Sequence, residues 1–165
     1  MKAIVVYESL WGNTAAIARA IAEGIGPQVQ ALTTDEATGA AIADADLIVA
    51  GAPVLGFKLP DEKMRASAAM NAGRAPAPAD LSHPSMRSWL EVLPKGHARS
   101  AVFETGIWWS PGGATGAIAR ALEEAGYPSV AKAHRFIVKG TYGPLREGEL
   151  ERARQWGAEL AQAMN

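Results

Sequence analysis

Short β-branched runs alternate with amphipathic stretches along this chain, and that alternation restricts the possible folds more than any other feature. Ala3–Tyr7 reads as a buried strand. Thr14–Gly24 reads as a helix, with Ile17, Ala18, Ile21 and Ile25 on one face, and Gly24 and Gly26-Pro27 stop it. Val29–Leu32 is a second strand and Asp35–Ala43 a short alanine-rich helix. Leu47–Ala50 is a third strand, closed by Gly51-Ala52-Pro53. Residues 54–82 are less regular and contain prolines. Pro84–Leu93 follows as a helix, Arg99–Glu104 as a fourth strand and Gly113–Ala125 as a further helix. Val130–Lys139 contains the fifth strand, around residues 135–138, and Glu147–Met164 is the last helix. Five βα units with short connections predict a three-layer α/β fold, a five-stranded parallel sheet with helices on both sides.

At 165 residues, one domain over 1–165 with a substantial core is expected. The net charge of −1 offers no basic surface for nucleic acid or for anionic membranes. With no cysteine, disulfides, thiol catalysis and iron–sulfur ligation are excluded, and a reducing, cytoplasmic setting is the expectation. Met1-Lys2 leads straight into the first strand pattern, so no signal peptide is expected. No apolar run reaches the ~20 residues of a membrane helix. His83, His97 and His134 have no metal-ligand spacing, so no metal site is expected.

The junction between the first strand and first helix carries the most chemistry. Ser9-Leu10-Trp11-Gly12-Asn13-Thr14 joins them. A helix N-terminus presents unpaired N–H groups and the positive end of the dipole, so it holds a phosphate well. Ser9 and Thr14 add hydroxyls, and Gly12 lets the backbone approach closely. No Gly-Lys-Ser/Thr run occurs, so the loop suits a terminal phosphate monoester better than a magnesium triphosphate. An ordinary capped strand–turn–helix junction would use the same residue types. Glu8, directly before the loop, must face away from a bound phosphate or meet a donor.

Ser9, Gly12, Asn13 and Thr14 resemble the phosphate loop of the flavodoxin-like family, which binds FMN. The resemblance follows the element order of nearly the whole chain. It implies a doubly wound sheet in the order 2-1-3-4-5, with non-covalently bound FMN at the carboxyl ends of the strands. Ser9, Gly12, Asn13 and Thr14 would hold the flavin phosphate, with Leu10 and Trp11 of the same loop also at the cofactor. Two further glycine-bearing loops sit at those strand ends. Pro53, Val54, Leu55, Gly56 and Phe57 correspond to the loop that lies against the isoalloxazine ring. Thr105, Gly106, Ile107, Trp108 and Trp109 correspond to the loop on its other flank, and at least one of the two tryptophans is expected near the ligand.

The chain departs from the family at Trp11 and Val54, where threonine is common, and in its near-neutral charge. Electron-shuttling flavodoxins tend to be strongly acidic, so the charge turns the balance toward a flavin enzyme or a specialised carrier. No side chain stands out as acid, base or nucleophile, which suits electron or hydride transfer carried by the flavin. Two functional readings stay open: a carrier with a dedicated redox partner protein, and an NAD(P)H- or partner-fed reductase of a quinone-like acceptor. A third is a flavodoxin fold that has lost flavin and serves as an interaction or regulatory module. Residues 58–82 are expected to form a lid or partner surface, or to be partly disordered. Tyr142 lies in a tight loop, read either as a second-substrate contact or, more simply, as part of a structural turn.

Overall fold

The computed structural model describes residues 1–165, apart from the side chain of Ala72. The strands are β1 (Ala3–Tyr7), β2 (Gln30–Thr33), β3 (Leu47–Pro53), β4 (Arg99–Gly106) and β5 (His134–Ile137). All neighbours are parallel, and the sheet order is β2-β1-β3-β4-β5. The helices are α1 (Asn13–Ile25), α2 (Gly39–Ile42), α3 (Glu62–Met70), α4 (Met86–Glu91), α5 (Thr115–Glu124) and α6 (Glu149–Ala163), with a short 3-10 turn at Ala72–Arg74.

The period-2 alternation of β1 sorts its side chains between two cores. Ala3, Val5 and Tyr7 join Ile17, Ile21, Trp156 and Leu160 beneath α1 and α6. Ile4 and Val6 join Ile42, Met86, Trp89, Ile118 and Leu122 beneath α2, α4 and α5. Both faces of the sheet are thus covered, as an all-parallel sheet requires. No helix is long and apolar enough to cross a membrane.

Helices α1 and α6 approach backbone to backbone. A Cβ on Gly157 would fall on the carbonyl oxygen of Ile21, and one on Gly24 on that of Arg154. Gly157→Ala should therefore push α6 off α1. The gain in helix propensity is ~1 kcal/mol, less than the strain of overpacking against rigid backbone. We expect a net loss of about 1–3 kcal/mol in unfolding free energy by urea denaturation.

The structure corrects several element boundaries. The expected helix Asp35–Ala43 is a turn followed by the four-residue α2, because the Thr38 side chain accepts from Ala41 N–H and starts the helix there. Helix α4 begins at Met86 rather than Pro84, capped by Ser85. Strand β3 runs on to Pro53, and β4 to Gly106. The larger correction is α3, inside the segment expected to be irregular. Asp61 caps it by accepting from Met64 N–H at 2.8 Å, a bond that holds this carboxyl below the usual carboxylate range.

Candidate functional site

The ladder continues past the strand ends and fixes where three loops leave the sheet. Glu8 N–H donates to Gly51 O, Val54 N–H to Thr105 O and Val138 N–H to Gly106 O, at 2.8–3.1 Å. The loops after β1, β3 and β4 therefore emerge side by side over β1, β3 and β4. In an order of 2-1-3-4-5 the β1/β3 boundary is where the winding reverses, and a crevice opens there.

The loop after β1 leads into α1 through Gly12, whose φ of 91° is left-handed. Gly12 offers no side-chain cap, and Ser9 takes that role. Its Oγ accepts from Gly12 N–H at 3.1 Å and from Ala15 N–H at 3.2 Å. The N–H groups of Leu10, Trp11, Asn13 and Thr14 have no acceptor among the described residues. Four unused donors at the positive end of a 13-residue helix make a cradle that could accept an anion. Buried beneath them, Thr14 Oγ1 and Thr105 Oγ1 share a hydrogen bond of 2.7 Å. That bond consumes one of the pair's two protons, so one O–H is left to donate elsewhere. The Asn13 side chain points to the loop after β5, where its amide donates to Tyr142 O at 3.1 Å.

Glu8 faces away from this cradle. It is fully buried, accepting from Arg65 Nη1 at 2.6 Å and from Met86 N–H at 2.9 Å. Arg65 is the one buried residue of α3, and it also donates to His83 O at 2.5 Å. His83 Nε2 in turn accepts from Ser9 N–H at 3.1 Å, so its proton sits on Nδ1. The segment from α3 to α4 thus supports the first loop from below. Neither Arg65 nor this use of His83 is apparent from spacing; the signal was Glu8 itself, an acid at the end of an apolar strand that requires a cation.

The loop after β3 reverses at Gly56-Phe57. Leu55 and Lys58 exchange two backbone hydrogen bonds, and φ is +56° at Gly56 and +67° at Phe57, as in a type I′ turn. Phe57 is the one non-glycine residue with positive φ among those described, and its ring is 56% exposed. Such a conformation is costly for a bulky side chain. It is braced from the next loop, where Gly113 N–H donates to Phe57 O at 3.0 Å.

The loop after β4 is organised by Arg135 of β5. Its guanidinium donates to the carbonyls of Ile107, Ser110 and Gly112 at 2.8–2.9 Å. It also pairs with Glu104 Oε1 at 2.7 Å, while Glu104 Oε2 accepts from Ala114 and Thr115 N–H at the start of α5. One side chain thereby fixes a loop that has almost no apolar anchor.

Between the three loops lies a cavity of about 370 Å³, within the range of cofactor sites. Its wall includes Ser9, Leu10, Trp11, Asn13 and Thr14 from the first loop and Pro53, Val54, Leu55, Gly56 and Phe57 from the second. Thr105, Gly106, Ile107 and Trp109 come from the third, with Ser110, Val138 and Thr141 beyond the expected set. Gly12 shapes the cradle from behind the wall. Trp108 is 73% exposed and does not line the cavity, whereas Trp109, 61% exposed, does.

No protein-family model matches the sequence, and no curated protein matches it. Solved structures do. A flavodoxin from the domain Archaea aligns with TM-score 0.66 at 23% identity, covering 99% of each chain. Oxidised Flavodoxin 1 from Bacillus cereus aligns with TM-score 0.66 at 16% identity, covering 98% of each. The Flv1 flavodiiron core from Synechocystis sp. aligns with TM-score 0.64 at 22% identity, 99% of this chain falling on 36% of that one. Nearly full coverage of both flavodoxins, with the sheet order 2-1-3-4-5, makes the fold of this protein flavodoxin-like.

Proposed function

We propose that this protein binds FMN non-covalently in the strand-end cavity and acts in electron transfer. The observation that carries the reading is the set of four free N–H groups at the opening of α1, contiguous with a cavity of cofactor size. The flavodoxins among its structural neighbours support it. The N–H groups of Leu10, Trp11, Asn13 and Thr14, with the hydroxyl pair, would hold the phosphate dianion. The turn at Leu55–Phe57 and the loop at Thr105–Trp109 would flank the ring and exclude water from it. Bound there, the flavin supplies one- or two-electron chemistry. The chain's part is binding, orientation and the polarity of the loops. Its electron acceptor is a redox partner protein or a quinone-like small molecule, and steady-state NAD(P)H oxidation with a quinone separates the two.

The test is fluorescence titration of the apo-protein with FMN, with riboflavin as the control. Hydrogen bonds to a charged group contribute ~1.5–3 kcal/mol each, so riboflavin, which lacks the phosphate, should bind at least about 100-fold more weakly. Thr14→Ala should weaken FMN by about 1 kcal/mol or more and leave riboflavin nearly unchanged. Equal affinity for the two flavins would refute the phosphate cradle. Binding of neither would remove the assigned function and favour a flavin-free interaction module on the same fold.

A further inference from the structure

A second cavity of about 390 Å³ opens beside the first and shares part of its wall. Trp11, Leu55, Gly56 and Thr141 belong to both. The far side of the second cavity is α3, which presents Lys63, Met64, Ser67 and Ala68 to it, with Asn71 just beyond the helix. Tyr142 closes the remaining side, its ring set edge-on to Trp11 with centroids 4.8 Å apart. Two aromatic rings, a thioether and an alanine give the cavity a mainly apolar interior suited to a flat ring system.

Of its polar side chains, Asn71 donates to Ser67, and Lys63 is the one that carries a charge. Lys63 forms no ion pair among the described residues, although its neighbours Lys58 and Arg65 both do. The Trp11 indole N–H is buried and has no acceptor among them. One unpaired ammonium beside an apolar slot walled by two aromatic residues selects a flat apolar molecule carrying one anionic group.

We propose that this second cavity binds a planar aromatic acid, such as an aromatic carboxylate or an acidic phenol, next to the strand-end site. The assignment stands on α3, Trp11 and Tyr142 and does not depend on what fills the neighbouring cavity.

The probe is 2-naphthoate, titrated into the full chain and followed by the indole N–H resonance of Trp11 in heteronuclear NMR. That resonance is assigned by its loss in Trp11→Phe. Naphthoate should shift it saturably. Lys63→Met should raise the naphthoate Kd roughly threefold, the scale of a partly exposed ion pair, and leave neutral 2-acetylnaphthalene unchanged. Ala68→Trp, which fills the slot, should abolish binding of both, with unaltered circular dichroism confirming the fold. If Ala68→Trp does not fold, the charge-selective effect of Lys63→Met decides alone. The proposal is overturned if the Trp11 resonance does not move, or if Lys63→Met weakens both probes equally or neither. It is also overturned if naphthoate competes with FMN in a protein shown to bind FMN, because it would then occupy the first cavity. Failure of FMN to bind leaves the naphthoate result to be read on its own.

Discussion

Arg65→Met is expected to lower the unfolding free energy by about 3–5 kcal/mol, because it strands a carboxylate in the interior. Glu8 is wholly buried, and in the variant only Met86 N–H would still donate to it. His83 O would lose its donor from the same guanidinium. Urea unfolding at neutral pH measures the loss. Adding Glu8→Gln should restore much of it, since the amide oxygen still accepts from Met86 N–H and carries no charge. If the double variant were no more stable than Arg65→Met, the penalty would lie in lost packing of the arginine stem rather than in an unpaired charge. The same deletion should reach the cradle, because the His83 that braces Ser9 N–H is itself held by Arg65.

Arg135→Met should cost about 2–4 kcal/mol, somewhat less than Arg65→Met. Glu104 keeps its two backbone donors at the start of α5, whereas Glu8 would keep one, so the stranded charge is better compensated. Its effect on the site should be larger than its effect on stability. Three carbonyls of the segment 107–112 lose their common donor, and Trp109 loses the frame that holds it at the cavity. Ordering that loop would then be charged to ligand binding, and FMN affinity should fall about tenfold. Arg135→Lys should recover little, because one ammonium cannot serve a carboxylate and three carbonyls at once. Unchanged flavin affinity in Arg135→Met would place the third loop outside the binding surface.

The sheet was legible because its strands are written in β-branched residues with glycine-bearing ends. Ile4-Val5-Val6 and Leu47-Ile48-Val49 occupy the buried central positions that such runs favour. The loops of the candidate site were legible for a related reason: each follows a strand directly, so placing the strand places the loop. Helix α3 was obscured because it has no apolar stripe; Arg65 is its one buried residue. The available signal was local, a capping Asp61 followed by strong helix formers. Arg65 and Arg135 escaped notice for a different reason. Each acts across the sequence, Arg65 on Glu8 and Arg135 on Glu104, and no local pattern encodes a partner 57 or 31 positions away. The division between Trp108 and Trp109 depends on which way adjacent side chains of an irregular loop turn, and periodicity does not determine that.

The four free donors at the opening of α1 belong to the main chain, and this bears on how such a site can evolve. Any sequence that keeps the left-handed turn at Gly12 and the bracing hydroxyl of Ser9 reproduces them. Side chains at positions 10 and 11 take no part in presenting those donors. Leu10 has become core, and Trp11 has become a partition between two cavities. A set of donors made of backbone can persist while the residues around it are exchanged, and this fold is shared with two flavodoxins at only 16–23% identity.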